Sequence, residues 1–404
     1  MIPSISKKET LKLLAGIFQG RQAFLGPQVI HLDLTNFCNN NCIGCWCRSP
    51  LLKDKEMPDW EKKLSLPFEV IKGVIDDCLK MGGLKQIKLV GGGEPFMHPD
   101  ILKIIRYIKE KKKEIEIDIN TNFTLVDKRI AQELMDLEVD SLTVSLWAGD
   151  AITYTKTHPN KNKETFYQIK GVLNYLGEKK KNKPYIKIYN VIFNHNFQEI
   201  ERMIDFAIEV KAEDIQFVPL DPIPERTDCL LLNQEERKEL LKRLSLIKQY
   251  YDPITHRYNY NGKSIVITAF PEFLRRIEDI DLETGTHDIN KIETIPCYVG
   301  WLFARIMATG NVVPCCKGHR LVLGNVYEKN FYKIWNSEIY NQFRYKAKNL
   351  SKKDVYFSQI GNQANLETGC YNCDNLWQNE PIHRQIESLN RRKRILIKAL
   401  SWFY

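Results

Sequence analysis

The first half of this chain is predicted to fold as an α/β protein on a parallel sheet, and three observations predict it. Short apolar stretches alternate with longer amphipathic ones. Six such pairs follow in series, which implies parallel strands joined by right-handed crossovers. Two motifs rich in cysteine or glycine fall directly after the first two apolar stretches, the position where sites gather in parallel α/β folds.

In order along the chain, residues 1–27 read as an N-terminal helical segment. The first strand is read at 28–34, around Val29-Ile30-His31-Leu32-Asp33-Leu34, and the others at 86–90, 114–120, 140–146, 184–192 and 214–219. Between them the apolar spacing predicts helices over Phe68–Met81, Pro99–Lys111, Asp127–Leu137, Glu164–Leu176 and Phe197–Val210. Eight strand–helix units would close a barrel; six do not. Residues 226–295 are less regular and read as a bridge, with a charged helix at Gln234–Tyr250, a strand at Ser264–Ile267 and a helix near Pro271–Ile280. Residues 296–380 form a cysteine-rich unit that opens at Cys297 and includes a hairpin from Ile306 to Pro314, with Gly310-Asn311 as its turn. Residues 381–404 form a basic tail.

The first motif is Cys38-Asn39-Asn40-Asn41-Cys42-Ile43-Gly44-Cys45. Three thiolates can hold three irons of a [4Fe–4S] cube and leave the fourth open, whereas four close a cluster for electron transfer. The second is Gly91-Gly92-Gly93-Glu94-Pro95 after the strand Gln86–Val90. Glycines at a strand end allow close approach to the backbone, and Glu94 can accept a charge-assisted hydrogen bond.

The cysteine spacing, followed one strand–helix unit later by Gly-Gly-Glu-Pro, resembles the radical S-adenosylmethionine (SAM) superfamily. The resemblance implies an open, partial (β/α)6 barrel over 28–225. It also implies a [4Fe–4S] cluster on Cys38, Cys42 and Cys45 whose open iron chelates SAM. Reductive cleavage then gives a 5′-deoxyadenosyl radical, with a reductant such as flavodoxin or ferredoxin as partner. Gly91, Gly92, Gly93, Glu94 and Pro95 would bind the methionine ammonium. Asn120, Ser145 and Asn190 would meet the ribose, adenine or methionine carboxylate, and the Val218 backbone would meet adenine. One departure stands before the third cysteine: Gly44 replaces the family's frequent aromatic or histidine, and Trp46 would supply the stacking face.

Cys297, Cys315, Cys316, Cys370 and Cys373, with the intervening Gly-Asn-Val-Val-Pro-Cys-Cys and Leu-Gly-Asn-Val stretches, look like a SPASM domain of α+β type. The run of cysteines for a second auxiliary cluster is missing, so one auxiliary [4Fe–4S] cluster is expected, with either Cys315 or Cys316 as a ligand. A four-cysteine zinc site is the alternative.

Eleven cysteines in a chain of 404 residues, with no signal sequence read at its start, suit metal binding in a reducing cytoplasm rather than disulfides. The net charge of +9 arises partly from Lys109–Lys113 and Lys179–Lys183, read as solvated loops, so no nucleic-acid partner is expected. The tail interleaves Arg391, Arg392, Lys393, Arg394 and Lys398 with Ile395, Leu396, Ile397, Leu400, Trp402 and Phe403. It suits a terminal helix docked on the protein, or a peripheral membrane contact.

For substrate chemistry, Asp221 is placed to take a proton, as an oxidation needs, and Cys229 to return a hydrogen atom, as an epimerisation needs. Arg48 and Lys187 could recognise an anionic group. Peptide-modifying members often carry a leader-binding domain that residues 1–27 are too short to form. A small polar molecule such as a sugar or aminocyclitol is therefore the expected substrate. A peptide or protein side chain, or a non-catalytic iron–sulfur or zinc role, are the alternatives.

Overall fold

Strands buried on both faces need apolar side chains at nearly every position, and the first strand meets that demand. β1 (Val29–Asp33) buries all but His31, which stays half-buried. The computed structural model describes residues 6–360 and 370–401, so the Trp402 and Phe403 of the tail lie outside the described residues. β2 (Gln86–Val90), β3 (Glu116–Thr121), β4 (Ser141–Ser145), β5 (Tyr185–Ile192) and β6 (Asp214–Pro219) follow within two residues of the predicted bounds. All five neighbouring pairs from β1 to β6 are parallel.

The sheet does not stop at six strands. β7 (Tyr251–Asp252), β8 (Arg257–Tyr260) and β9 (Lys263–Thr268) extend it beyond β6, with β9 parallel to β6. On the other edge β10 (Phe303–Ile306) runs parallel to β1, and β11 (Asn311–Val313) and β12 (Gly324–Asn325) continue outward. β1 and β6 therefore each pair with a C-terminal strand instead of with each other, and the partial (β/α)6 barrel stays open. The hairpin predicted around Gly310-Asn311 is β10–β11, with Gly310 in the left-handed conformation at φ 81°.

The cysteine-rich unit is fastened to the N-terminal segment just before β1 by two buried tryptophans. Trp301 and Trp335 each donate their indole N–H, at 2.8 Å, to the carbonyls of Gln22 and Leu25. The Lys-rich stretches are not wholly solvated loops: Lys109 lies in the last turn of the Ile101–Lys111 helix and pairs with Asp140 at 2.5 Å, Lys113 pairs with Glu138 at 2.8 Å, and the half-buried Lys180 pairs with Glu213 at 2.5 Å. The tail forms the helix Arg391–Leu400, which buries Ile397 against Leu14 and Ala15 of the Lys7–Gln19 helix, leaves Arg391, Arg392, Lys393 and Lys398 in solvent, and turns Arg394 back onto the Leu389 and Glu387 carbonyls. No helix among the described residues is long and apolar enough to cross a membrane.

Candidate active site

The glycine run and the cysteine loop are built against each other. A Cβ on Gly91 would stand 2.6 Å from the Thr35 carbonyl oxygen, one on Gly92 2.7 Å from Asn36 Oδ1, and one on Gly93 would overlap the Phe37 carbonyl. What the glycines admit is thus the segment that leads into Cys38, and Glu94 N–H closes the contact by donating to Phe37 O at 2.7 Å. Glu94 itself is buried. Its carboxylate accepts from Thr121 Oγ1 at 2.6 Å, Asn122 N–H at 2.7 Å and Phe96 N–H at 3.1 Å. Burial pushes this carboxyl up to about 7 against the pull of those donors. It ties the end of β2 to the end of β3, and both its oxygens are already engaged.

A cavity of about 380 Å³ opens at the carboxyl ends of the strands. Cys38, Cys42 and Cys45 line it together with Gly91, Gly92, Gly93 and Glu94. Burial pushes the Cys38 thiol up to about 11 and that of Cys42 well above the usual range. Cys45 differs: the Cys47 thiol, 3.7 Å away, brings it down to about 7. Cys47 is buried and gives its S–H to the Gly92 carbonyl at 3.2 Å.

Asn120, Ser145, Val218 and Trp46 all line this cavity. Trp46 stacks edge-on against His319 of the cysteine-rich unit, ring centroids 4.7 Å apart. Gly44 has a local reason: a Cβ there would meet Leu220 at 2.8 Å. Asn190 is corrected. It is fully buried on β5, and strand alternation turns it away while its neighbours Tyr189 and Val191 line the cavity. Pro95 is buried beneath the turn and lies off the cavity wall. Cys229 is also corrected: its thiol is exposed, 3.6 Å from the Arg226 carbonyl, and away from the cavity. Asp221 does line the cavity, but Lys317 Nζ at 2.5 Å and Asn372 Nδ2 at 3.0 Å hold its two oxygens. Arg48 spends its guanidinium on the backbone carbonyls of Asn36 and Lys62, and Lys187 pairs with Asp214 at 3.1 Å, off the cavity.

The second cysteine set sorts itself. Burial raises Cys373, and the thiols of Cys370, Cys297 and Cys315 raise it further. Burial likewise raises Cys315, with Cys370, Cys297 and Cys316 adding to it. Cys316 answers instead to burial, Asp374 and Arg305, lies 3.8 Å from His31 Nδ1 and lines the cavity. Cys315 and Cys373 thus sit among Cys297 and Cys370 off the cavity, and Cys316, which also acts on Cys315, is the one of this set that lines the cavity. Among the described residues no three cysteine, histidine or carboxylate groups converge to the distance of a single metal ion.

The far wall of the cavity was invisible to motif reading. It consists of Tyr189, Arg276, His287, Lys317, Asn372 and Asp374, drawn from the end of β5, the 226–295 region and the cysteine-rich unit. Trp147, in the left-handed conformation at φ 59° after β4, also lines the cavity, and among the described residues its indole N–H has no partner, nor has Asn120 Oδ1.

These features suit the implied cofactors. Cys38, Cys42 and Cys45 share one wall with Cys47, whose thiol also lies 3.2 Å from the Gly92 carbonyl, and the volume lies in the range that takes a drug-sized ligand. Among the described residues Asn120 Oδ1 and the Trp147 indole N–H lack a partner, as do both polar atoms of Asn190.

Comparison with known proteins agrees. Residues 32–207 match the family model of the radical SAM superfamily, and residues 297–374 that of the SPASM iron–sulfur cluster-binding domain. Over 326 residues the chain is 25% identical to the tungsten-containing aldehyde ferredoxin oxidoreductase cofactor-modifying protein of Pyrococcus furiosus, spanning 79% of this chain and 84% of that one. It is 26% identical over 332 residues to the AdoMet-dependent heme synthase of Methanosarcina barkeri, covering 79% and 85%. Streptococcus suis SuiB bound to S-adenosylmethionine shares the fold, with a TM-score of 0.59 at 17% identity over 90% of this chain and 76% of that one. So does anSMEcpe with bound AdoMet, with 0.58 at 16% over 92% and 98%. SAM, a [4Fe–4S] cluster in the barrel and an auxiliary iron–sulfur cluster are the cofactors that these two domains carry. With both family models matched in order over more than half its length, the chain belongs to the radical SAM superfamily, with a C-terminal SPASM domain.

Proposed function

We propose that this radical SAM enzyme takes a hydrogen atom from a compact, charged substrate, in the making or modification of a cofactor. The observation that carries the reading is the cavity itself. It runs from Cys38, Cys42 and Cys45 to a wall of charged groups contributed by Arg276, Lys317 and Asp374. When bound, the reduced barrel cluster and SAM supply a 5′-deoxyadenosyl radical.

The chain's own residues do the rest. Cys38, Cys42 and Cys45 hold the barrel cluster and leave one position open. The Gly91–Gly93 turn keeps their loop in place, and Asn120, Ser145 and the Val218 backbone receive SAM. Trp147 and Trp46 wall the cavity against water. Cys297, Cys315, Cys370 and Cys373 hold the auxiliary cluster behind the far wall. A cavity of about 380 Å³ is on the scale of small ligands and not of a folded partner.

Two relatives are named for cofactor modification and heme synthesis, and another, from Methanococcus maripaludis, as a probable GTP 3′,8-cyclase. That supports a cofactor or its precursor over a sugar or aminocyclitol. A wall of full charges likewise suits a charged ligand better than a neutral polyol. The test is to add size-separated cell extract to the reconstituted enzyme and follow 5′-deoxyadenosine. Stimulation by the low-molecular-mass fraction, with deuterium passing from a labelled substrate to 5′-deoxyadenosine, is expected. Stimulation by the peptide fraction alone would overturn the reading.

A further inference from the structure

We propose that Arg276 and Asp374 form a dipolar subsite at the far wall, which takes a substrate carrying both an acid group and an amine. This rests on the reading that the substrate occupies the cavity. Arg276 projects from the Phe270–Asp279 helix and donates Nε–H to Asp288 Oδ2 at 2.7 Å. Its two terminal nitrogens have no partner among the described residues. Asp288 is fully buried and also takes Arg275 and, at 3.2 Å, His287 Nδ1. Arg275 is also matched by Asp279 at 3.7 Å, so the positive group this cluster turns to the cavity is Arg276 alone. The bond at Nε fixes the plane of the Arg276 guanidinium and leaves its outer edge for a planar acid group.

Asp374 supplies the opposite charge. It lines the same cavity, and no hydrogen bond or ion pair engages it among the described residues. The charged groups facing it are Lys317, Asp221, Arg276 and His287. Lys317 and Asp221 neutralise each other at 2.5 Å, and Arg305 is likewise matched by Asp33 at 2.8 Å. What is left over is one positive edge and one negative group on a shared wall, with no ion pair joining them. Asp374 is exposed and Arg276 half-buried, so both ends stand open to a ligand that bridges them. A ligand bearing both charges satisfies both ends, whereas a simple anion or cation meets attraction at one and repulsion at the other.

The experiment uses holoenzyme with both clusters and saturating SAM, so that probes cannot enter the SAM site. Binding of β-alanine and γ-aminobutyrate is compared by calorimetry with that of propionate and propylammonium at equal ionic strength. At least one zwitterion should bind about tenfold tighter than either single-charge probe. Arg276→Gln and Asp374→Asn should each erase that advantage, and Arg275→Gln, which shares Asp288 but does not line the cavity, should keep it. Equal binding of all four probes, or equal loss in Arg275→Gln and Arg276→Gln, would overturn the proposal. Iron content is measured for each variant. Where Asp374→Asn loses iron, Asp374→Glu replaces it and must retain a preference for the zwitterion. Failure of the wild-type enzyme to form 5′-deoxyadenosine would strike the proposed function and leave the probe comparison standing.

Discussion

The two cysteine sites of this molecule differ in what surrounds the sulfur, and the difference separates a site open to a ligand from one that is closed. Cys38, Cys42 and Cys45 lie on one short loop, all three line the cavity, and one of them is held down to about 7 by a neighbouring thiol. Cys297, Cys315, Cys370 and Cys373 come from three separate segments, none of them lines the cavity, and burial raises every one. Three ligands facing a cavity suit chemistry on an open iron, and four enclosed ligands suit electron transfer or structure. All seven are half-buried, so the contrast is one of access to the cavity as much as of ligand number.

The largest effect that could break this contrast comes from replacing Cys38, Cys42 and Cys45 together with Ala. Formation of 5′-deoxyadenosine should vanish, and iron should fall from about eight to about four per chain. Cleavage that persists in this variant would show that the SPASM site handles SAM.

A second test strikes the support of the open site. Gly93→Ala places a methyl group on the Phe37 carbonyl. It should cost about 1–3 kcal/mol in denaturant unfolding and lower the iron of the barrel site alone. A variant of wild-type stability and iron content would mean that the cysteine loop is not held by this turn.

The closed site is sharpened by comparing two adjacent residues. Cys315→Ser should lose about four irons, and Cys316→Ser should keep about eight while altering the cavity wall. The reverse result would exchange their roles.

The smallest expected effect lies in the SAM pocket. Asn120→Ala should raise the KM for SAM by roughly fivefold, the worth of one hydrogen bond. Asn190→Ala should leave it unchanged. Equal effects would contradict the strand alternation that turns Asn190 away.

Much of the fold was legible in the sequence because it is local. β1 to β6 and their helices follow from period and length, and both motifs follow from spacing. What the sequence hid was non-local. β9 joins β6, and β10 joins β1 across more than two hundred residues, and neither pairing leaves a local mark. The far wall was hidden for the same reason, since Arg276, His287, Lys317 and Asp374 come from three segments that no spacing connects. One signal was available. Asp374 directly follows Cys373, and a carboxylate beside a cluster-type cysteine could have been marked for the cavity. Asn190 was recoverable too, because on a strand with period two Tyr189 and Val191 cannot share its face. Cys229 offered no such signal, since its exposure depends on how the loop after β6 folds.

The most direct test of the account is electron paramagnetic resonance of the fully reconstituted, dithionite-reduced protein before and after SAM is added. The account predicts signals from two clusters, one perturbed by SAM and the other unchanged, with 5′-deoxyadenosine formed in the same sample. Protein with about eight irons whose signals both ignore SAM, and which forms no 5′-deoxyadenosine, would contradict it.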